Sequence, residues 1–218
     1  MISTTQADEI ISGILEAPNE SRAVEFKPSI PWPNNIDELQ NNLKAQEIIV
    51  SILAMSNLRD GGKIILGVEK VDEEKKRYEA KGMKSENLDG YDHDLIFEQI
   101  RHYGEPEPKL QISCQKWKDK DFIVFAVQSF DFVPIISKNP RHLTKLEHSV
   151  LYIRTDKPES KKITEPSEMK EIVDLAVEKE LDIFSSRMQR FFRTMSNVRV
   201  SKNASDSDNF NNELKDIR

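Results

Sequence analysis

Two short stretches decide the fold: ESRAVEFK at residues 20–27 and GGKIILGV at residues 61–68. Apolar and charged residues alternate from Val24 to Lys27, which is typical of a strand buried on one face. The second stretch places a continuous apolar run after two glycines, which predicts a turn and then a buried strand. Between the two stretches, residues 43–57 show the apolar spacing of a helix. Strand, helix and strand in this order predict an α/β or α+β unit.

The rest of the chain extends this unit. The further predicted elements are helices at residues 7–16, 92–103 and 165–195, a β-hairpin at 110–127, and short strands at 132–136 and 150–154. The charged run at residues 69–81 predicts a solvated loop or a hairpin tip. Residues 196–218 are rich in Asn, Ser and Asp, so we expect a disordered tail there.

Composition limits the class of protein. The 218 residues carry a net charge of −6, so any binding of nucleic acid must come from a local basic patch. A single cysteine, Cys114, excludes an intrachain disulfide and a thiolate-based metal cluster. No apolar stretch approaches the length of a membrane helix, and the N-terminus has no signal-peptide pattern. We therefore expect an intracellular protein, with the cytoplasm favoured.

Familiar catalytic motifs are absent from the sequence. It has no phosphate-binding GxxxxGK[ST] or GxGxxG loop, no GxSxG nucleophile turn and no HExxH zinc helix. The four histidines lack the spacing of metal ligands, and Cys114 falls on the apolar face of a predicted strand. These observations exclude the classical hydrolase, kinase and dehydrogenase classes.

Carboxylates near the first two strands are the remaining candidates for chemistry. Glu20 and Glu25 flank the start of the first strand, and Glu69 directly follows the second. If the two strands pair, these three side chains could meet at one edge of the sheet. Clustered carboxylates suit a hard divalent ion such as Mg²⁺ or Mn²⁺, which can activate water for phosphodiester cleavage. The alternative is that they are ordinary exposed glutamates on strands.

The order of motifs resembles the Schlafen AlbA_2 domain family. That family has the pattern ESxxxEFK, then a helix ending AxxN, then GGx followed by three apolar residues and GV. This chain has ESRAVEFK, AMSN at residues 54–57 and GGKIILGV. Residues 152–154, Tyr-Ile-Arg, resemble a later strand of the family. The resemblance spans about residues 18–178.

The resemblance implies an α+β fold, a mixed β-sheet with flanking helices, and the apolar spacing after residue 165 adds a C-terminal helical extension. It divides the chain into an N-terminal helix at residues 1–17, the Schlafen-like domain at 18–178, an amphipathic helix at 179–196 and a tail at 197–218.

The resemblance also implies binding of nucleic acid. Vertebrate Schlafen members include endoribonucleases that cleave tRNA and rRNA with three acidic residues, in a groove formed by two copies of the fold. Two of those acids match Glu20 and Glu25, and the third matches Glu69 or the following Lys70. If the third position is Glu69, the three glutamates are both the catalytic residues and the metal ligands. If it is Lys70, the charge at that position is reversed.

Basic residues provide candidate contacts to the nucleic-acid backbone. They are Lys27, Lys138, Arg141, Lys145 and Arg154. The alternatives are that Lys27 pairs with Glu25 and that residues 138–145 form a solvated loop.

We therefore predict a Schlafen-like endoribonuclease that depends on Mg²⁺ or Mn²⁺ and acts on structured RNA such as tRNA. The alternatives are a non-catalytic nucleic-acid-binding module and an assembly subunit of a larger Schlafen-fold complex. RNA is favoured over DNA, and the expected protein partner is a second copy or a related Schlafen-fold chain. The apolar stripe near Phe184 and Phe191 could form that contact or pack on its own domain.

Overall fold

The computed structural model describes residues 4–72, 74, 77–140 and 142–213, with side chains described as far as residue 193. The helices are α1 (Glu9–Glu16), α2 (Ile36–Asn41), α3 (Leu43–Ser56), α4 (Ser85–Leu88), α5 (His93–Ile100) and α6 (Pro166–Glu213). The strands are β1 (Thr4–Gln6), β2 (Val24–Lys27), β3 (Gly62–Leu66), β4 (Val68–Asp72), β5 (Arg77–Ala80), β6 (Gly104–Glu105), β7 (Leu110–Trp117), β8 (Lys120–Val127), β9 (Ile136–Ser137), β10 (Tyr152–Arg154) and β11 (Ser160–Lys162). The chain divides into two compact units, Met1–Val173 and Asp174–Arg218.

The central sheet is mixed. Its strand order is β1-β7-β8-β3-β2, with β2 parallel to β3 and β1 parallel to β7. The other two pairings, β3 with β8 and β7 with β8, are antiparallel. This sheet and its flanking helices confirm the predicted α+β class, and the β7–β8 pair confirms the predicted hairpin.

The register of β2 on β3 sorts side chains between the two faces of the sheet. Phe26 lies opposite Ile65 and shares an apolar cluster with Ile11 and Leu15 of α1. Glu25 lies opposite Ile64, so it points to the other face. That face is the side of α3, in which eleven of the fourteen residues are buried. A largely buried helix therefore supports the face on which Glu25 lies.

Two glycines set the ends of β3. Gly61 has φ +71°, and a Cβ there would lie 2.0 Å from the backbone oxygen of Val127, so the turn from α3 into β3 requires glycine. Gly67 has φ +99° and turns the chain out of the sheet. The predicted strand at residues 63–68 therefore ends at Leu66, and the next residues form the separate β4–β5 hairpin.

The short edge elements differ most from the sequence-based expectation. β1 was not predicted, because its three residues, Thr-Thr-Gln, carry no apolar alternation. The strand predicted at residues 132–136 is reduced to β9, which begins at Ile136.

The C-terminal helix also differs in length. The backbone continues as helix through residues 197–213, where the sequence predicts a disordered tail. Ser, Asn and Asp cost only a few tenths of a kcal/mol more than the better helix formers, so a helix that is already formed can propagate through them. The domain boundaries at residues 178 and 196 stay predictions, and residues 214–218 lie outside the described part of the chain.

None of the helices in the described ranges combines the length and the apolar character that a membrane crossing needs.

Candidate nucleic-acid interface

A cleft of about 500 Å³ opens on the α3 side of the sheet. Its walls come from β2, α3, the loop after β9, and the β10–β11 pair. The lining residues are Glu25, Lys27, Glu47, Val50, Ser51, Lys145, Glu147, Tyr152, Arg154, Pro158, Glu159, Ser160 and Lys162. Glu25, Lys27, Lys145 and Arg154, all predicted as site residues, therefore lie around one cavity.

Glu25 lies at the base of this cleft and is 6% exposed. One carboxylate oxygen accepts a hydrogen bond of 2.8 Å from Nη1 of Arg154. The other oxygen lies 2.9 Å from Nζ of Lys27. Burial of a carboxylate is costly unless it is paired, and both oxygens of Glu25 are already paired.

Arg154 is 1% exposed and holds the ESRAVEFK segment in place. Besides Glu25, its guanidinium donates to the backbone oxygens of Ser21 at 3.1 Å and Arg22 at 3.2 Å. It also donates to the hydroxyl of Ser160 at 3.3 Å. The sequence places Arg154 among the contacts to nucleic acid, whereas the structure gives it a positioning role inside the domain.

Lys27 is the second cation beside Glu25. It also lies 3.6 Å from a carboxylate oxygen of Glu47. Burial lowers the pKa of Lys27, but the charges and hydrogen bonds of Glu25 and Glu47 raise it more, so the net shift is upward. The pairing of Lys27 with Glu25, one of the two alternatives above, is therefore the one seen.

Glu20 lies at the outer edge of β2, away from β3. Its Oε1 accepts the backbone N–H of Phe26 at 3.0 Å, and its Oε2 accepts the hydroxyl of Tyr78 at 2.6 Å. The backbone oxygens of Ala23 and Lys27 accept hydrogen bonds from the β3 side. Because the backbone polar groups of successive strand residues point to alternate sides, the N–H of Phe26 points away from β3. Glu20 is thus committed to the backbone of its own strand and to β5.

Glu69 lies on the β4–β5 hairpin, 2.9 Å from Nζ of Lys81. In that hairpin Glu69 is opposite Glu79, and Lys70 is opposite Tyr78. Because strand side chains alternate between faces, Glu69 and Tyr78 point to opposite faces of the hairpin. Glu69 therefore does not point to the side on which Tyr78 binds Glu20.

The three glutamates do not fit a divalent metal ion as they are arranged. Within the described ranges, no three His, Cys, Asp or Glu side chains gather closely enough to hold one. In addition, Glu25 and Glu69 are paired with cations, and both oxygens of Glu20 accept hydrogen bonds. Sequence spacing suggested a meeting of these acids, but in the structure each of them binds different partners.

The remaining predicted cations have different positions. Lys145 lies at the cleft, with its Nζ 3.4 Å from Glu47. Lys138 pairs with Glu105 and is not among the lining residues of the cleft. Arg141 lies outside the described residues.

Lys162 of β11 is a cleft cation that sequence reasoning missed. Its Nζ lies 2.9 and 3.0 Å from the two carboxylate oxygens of Glu147, and this pairing raises the pKa of Lys162. The sequence signal was the adjacent pair Lys161-Lys162 just after the Tyr-Ile-Arg strand. The signal is weak, because lysine pairs are common on exposed strands.

Buried amides hold the cleft walls on α3. Gln46, which is fully buried, accepts the backbone N–H of Lys145 at 3.0 Å and donates to the oxygens of Leu39 and Gln40. Asn57, at the end of α3, donates to the backbone oxygens of Ile135 and Tyr152 and accepts the N–H of Ile135. These two side chains fix the loop and β10 relative to α3.

Charges in the cleft are balanced in number. Four lining residues are cations and four are carboxylates. The inner pairs are buried, whereas the side chains of Lys145 and Lys162 are 43% and 48% exposed. The cations at the mouth are therefore held by partners that water can reach.

The chain is only distantly similar to solved structures. No curated protein matches the chain. A crystal structure of the DIP2311 protein from Corynebacterium diphtheriae is 14% identical with a TM-score of 0.43, over 70% of this chain and 25% of that one. This chain thus spans about a quarter of that protein's length. A solution structure of the N-terminal domain of a putative ATP-dependent DNA helicase RecG-related protein from Nitrosomonas europaea is 17% identical with a TM-score of 0.40, over 72% and 94% of the two chains.

The family comparison covers the segment that builds the cleft. The profile of the family described as Schlafen, AlbA_2 matches residues 20–164, which include β2, α3, β10 and β11. This match takes in about two thirds of the sequence, so the chain belongs to the Schlafen AlbA_2 family.

Proposed function

We propose that this chain is a nucleic-acid-binding protein that holds a phosphodiester backbone at the cleft without cutting it. The observation that carries the proposal is the gathering of Lys27, Lys145 and Lys162, from three separate segments, around one open cavity. Lysines supply point charges that neutralise phosphate and release its counterions. RNA is the favoured ligand, because the family resemblance points to RNA-directed members.

A phosphate group can replace the carboxylate partner of the exposed lysines at a small cost in free energy. The pairs Lys145–Glu47 and Lys162–Glu147 are both partly exposed. Such pairs contribute about 0–1 kcal/mol each, so a phosphate can replace the carboxylate at little cost. Lys27 is bound more deeply and would keep Glu25 in place while the backbone lies above it.

The acidic character of the chain limits the interaction to a local one with a modest dependence on salt. A net charge of −6 repels nucleic acid at long range. Each phosphate that is neutralised on a single strand contributes a slope of about −0.7 to log affinity against log salt. Contact through two or three lysines therefore gives a shallow slope of about −1.4 to −2.1.

The first experiment is fluorescence anisotropy with a labelled single-stranded RNA and a DNA of the same sequence. Lys145→Gln and Lys162→Gln should each weaken RNA binding about 3- to 10-fold, because each removes a contact to phosphate. The matched control is Lys109→Gln, which removes a similarly exposed lysine that pairs with Asp131 outside the cleft. If the control weakens binding as much as the cleft variants, the cleft is not the binding site.

The glutamate partners give a test in the opposite direction. Glu147→Gln frees Lys162 and should tighten RNA binding about 2- to 5-fold, since the competing carboxylate is gone. Asp131→Asn makes the same change of charge outside the cleft. Equal tightening by both variants would show an effect of net charge alone and would contradict the proposal.

Catalysis is tested in the same samples. Labelled tRNA is incubated with Mg²⁺, with Mn²⁺ and with a chelator, and its length is followed on a gel. We expect intact RNA in all three. Metal-dependent cleavage by the wild-type chain that Glu25→Gln abolishes, but a surface Glu86→Gln does not, would overturn the non-catalytic assignment in favour of an endoribonuclease.

A further inference from the structure

The helical segment after Val173 carries a heptad repeat that the cleft does not use. Apolar residues recur there with alternating spacings of four and three. They are Val177, Leu181, Phe184, Met188, Phe191, Met195 and Val198. At about 100° per residue, all seven fall within a sector of about 100° on one side of a helix. Spacing of this kind is typical of a seam between two helices.

Much of this stripe faces water in the single chain. Leu181 is 61% exposed, Phe184 is 59% exposed and Phe191 is 56% exposed. Scattered apolar side chains on a surface are ordinary, but a contiguous row of this size indicates a contact surface. Its regular spacing is typical of a surface that packs against another helix.

The distribution of charge along the segment is complementary to that of an antiparallel second copy. Residues 174–182 contain four acidic residues and one lysine, whereas residues 187–199 contain four arginines and no acidic residue. The segment is therefore acidic at one end and basic at the other. A parallel pair of two copies would place like charges side by side, and an antiparallel pair would place the acidic part of each copy along the basic part of the other.

One register satisfies both the apolar row and the charges. If two copies run antiparallel with their centre near Ser186, Leu181 of one copy lies opposite Phe191 of the other, and Phe184 lies opposite Met188. In the same register, residues 174–182 lie along residues 190–198 of the second copy. We infer that the chain forms a homodimer through antiparallel pairing of residues 174–199.

The first test is the mass of the full-length chain in solution, measured by sedimentation equilibrium over a range of concentrations. The wild type should approach twice 25.2 kDa, and Phe184→Glu should remain monomeric. Ser186→Glu introduces the same charge about 180° away on the same helix and should dimerise like the wild type. A monomeric wild type at about 100 μM, or a dimeric Phe184→Glu variant, would overturn the inference.

The orientation is tested by cysteine cross-linking. Leu181→Cys and Phe191→Cys are prepared as separate proteins, and the native Cys114 is buried. Under mild oxidation, the antiparallel register predicts a disulfide-linked dimer when the two variants are mixed, and little when each is alone. Cross-linking of each variant with itself, without a mixed product, would contradict the antiparallel register. The antiparallel dimer should also weaken as salt is raised, because its charge complementarity is screened.

Discussion

The cleft contains two kinds of ion pair that differ in depth. Glu25 and Arg154 are 6% and 1% exposed and are tied to the backbone of the segment before β2. Glu147 and Lys162 form an equally short pair at the mouth, where both side chains are about half exposed. Because the inner pair is enclosed, removal of one partner leaves the other charge buried and not solvated. The outer pair is open to water, so each of its side chains can exchange its partner for another ion. The inner pair therefore serves folding, and the outer pair is suited to binding.

The largest expected effect comes from splitting the inner pair. Arg154→Ala leaves the Glu25 carboxylate buried beside Lys27 alone and removes the donors to two backbone oxygens. Loss of one partner of a buried pair costs about 3–5 kcal/mol of the free energy of unfolding. Urea denaturation measures this loss, and the double variant Glu25→Leu/Arg154→Met should recover part of it. A loss below about 1 kcal/mol would mean that the inner pair is no different from the outer one.

A smaller loss is expected at Asn57, which fixes the wall of the cleft. The side chain of Asn57 is 2% exposed and makes three hydrogen bonds to the backbone. Asn57→Ala removes these bonds and leaves two backbone oxygens and one N–H without their side-chain partner. We expect a loss of about 2–3 kcal/mol in the free energy of unfolding, measured by urea denaturation. Asn41→Ala, which removes an exposed hydrogen bond in α2, should cost less than about 1 kcal/mol. Similar losses of stability in Asn57→Ala and Asn41→Ala would contradict the claim that enclosed hydrogen bonds contribute more than exposed ones.

The smallest effect is the pH dependence of Lys27, which lies between the two kinds of pair. Its pKa is raised in the folded chain, so the folded state binds the Lys27 proton more tightly than the unfolded state does. This contribution to stability is complete below the unfolded pKa of about 10.4 and is lost as the pH rises through the folded pKa.

The measurement compares wild type and Lys27→Met by urea denaturation between pH 8 and pH 12. The difference between them should be about 1 kcal/mol or less near pH 8, because Glu25 keeps Arg154 as a partner, and should shrink above about pH 10.4. If the stability difference between wild type and Lys27→Met grows with pH, the pKa of Lys27 is not raised by folding and the prediction is wrong.

The fold was predictable where local pattern decides it. The alternation from Val24 to Lys27 placed Glu25 and Lys27 on one face, and the structure joins them by an ion pair. The β7–β8 hairpin followed from alternation around a short turn. In contrast, β1 pairs with a strand about 110 residues away, and nothing in three polar residues encodes that pairing.

The site was less predictable, because its partners are distant in the sequence. Glu25 and Arg154 are 129 residues apart, and Gln46 and Lys145 are 99 apart. Sequence spacing could identify Arg154 as a cation at a strand end but not as a buried one. The expected meeting of Glu20, Glu25 and Glu69 failed for a related reason. Pairing of β2 with β3 fixes the face on which Glu25 lies, whereas Glu20 precedes the strand and binds the N–H of Phe26 and the hydroxyl of Tyr78.

The position of Glu20 has a consequence for how the molecule behaves among its neighbours. β2 is the outermost strand of its sheet, and an uncovered outer strand offers its amides to any passing extended chain. The Glu20 carboxylate occupies one of these amides, that of Phe26, and brings a negative charge to the same border. A foreign strand that added there would have to displace the Glu20 carboxylate from this N–H. The first glutamate of the ESRAVEFK segment thus protects the sheet from growing by strand addition into aggregates.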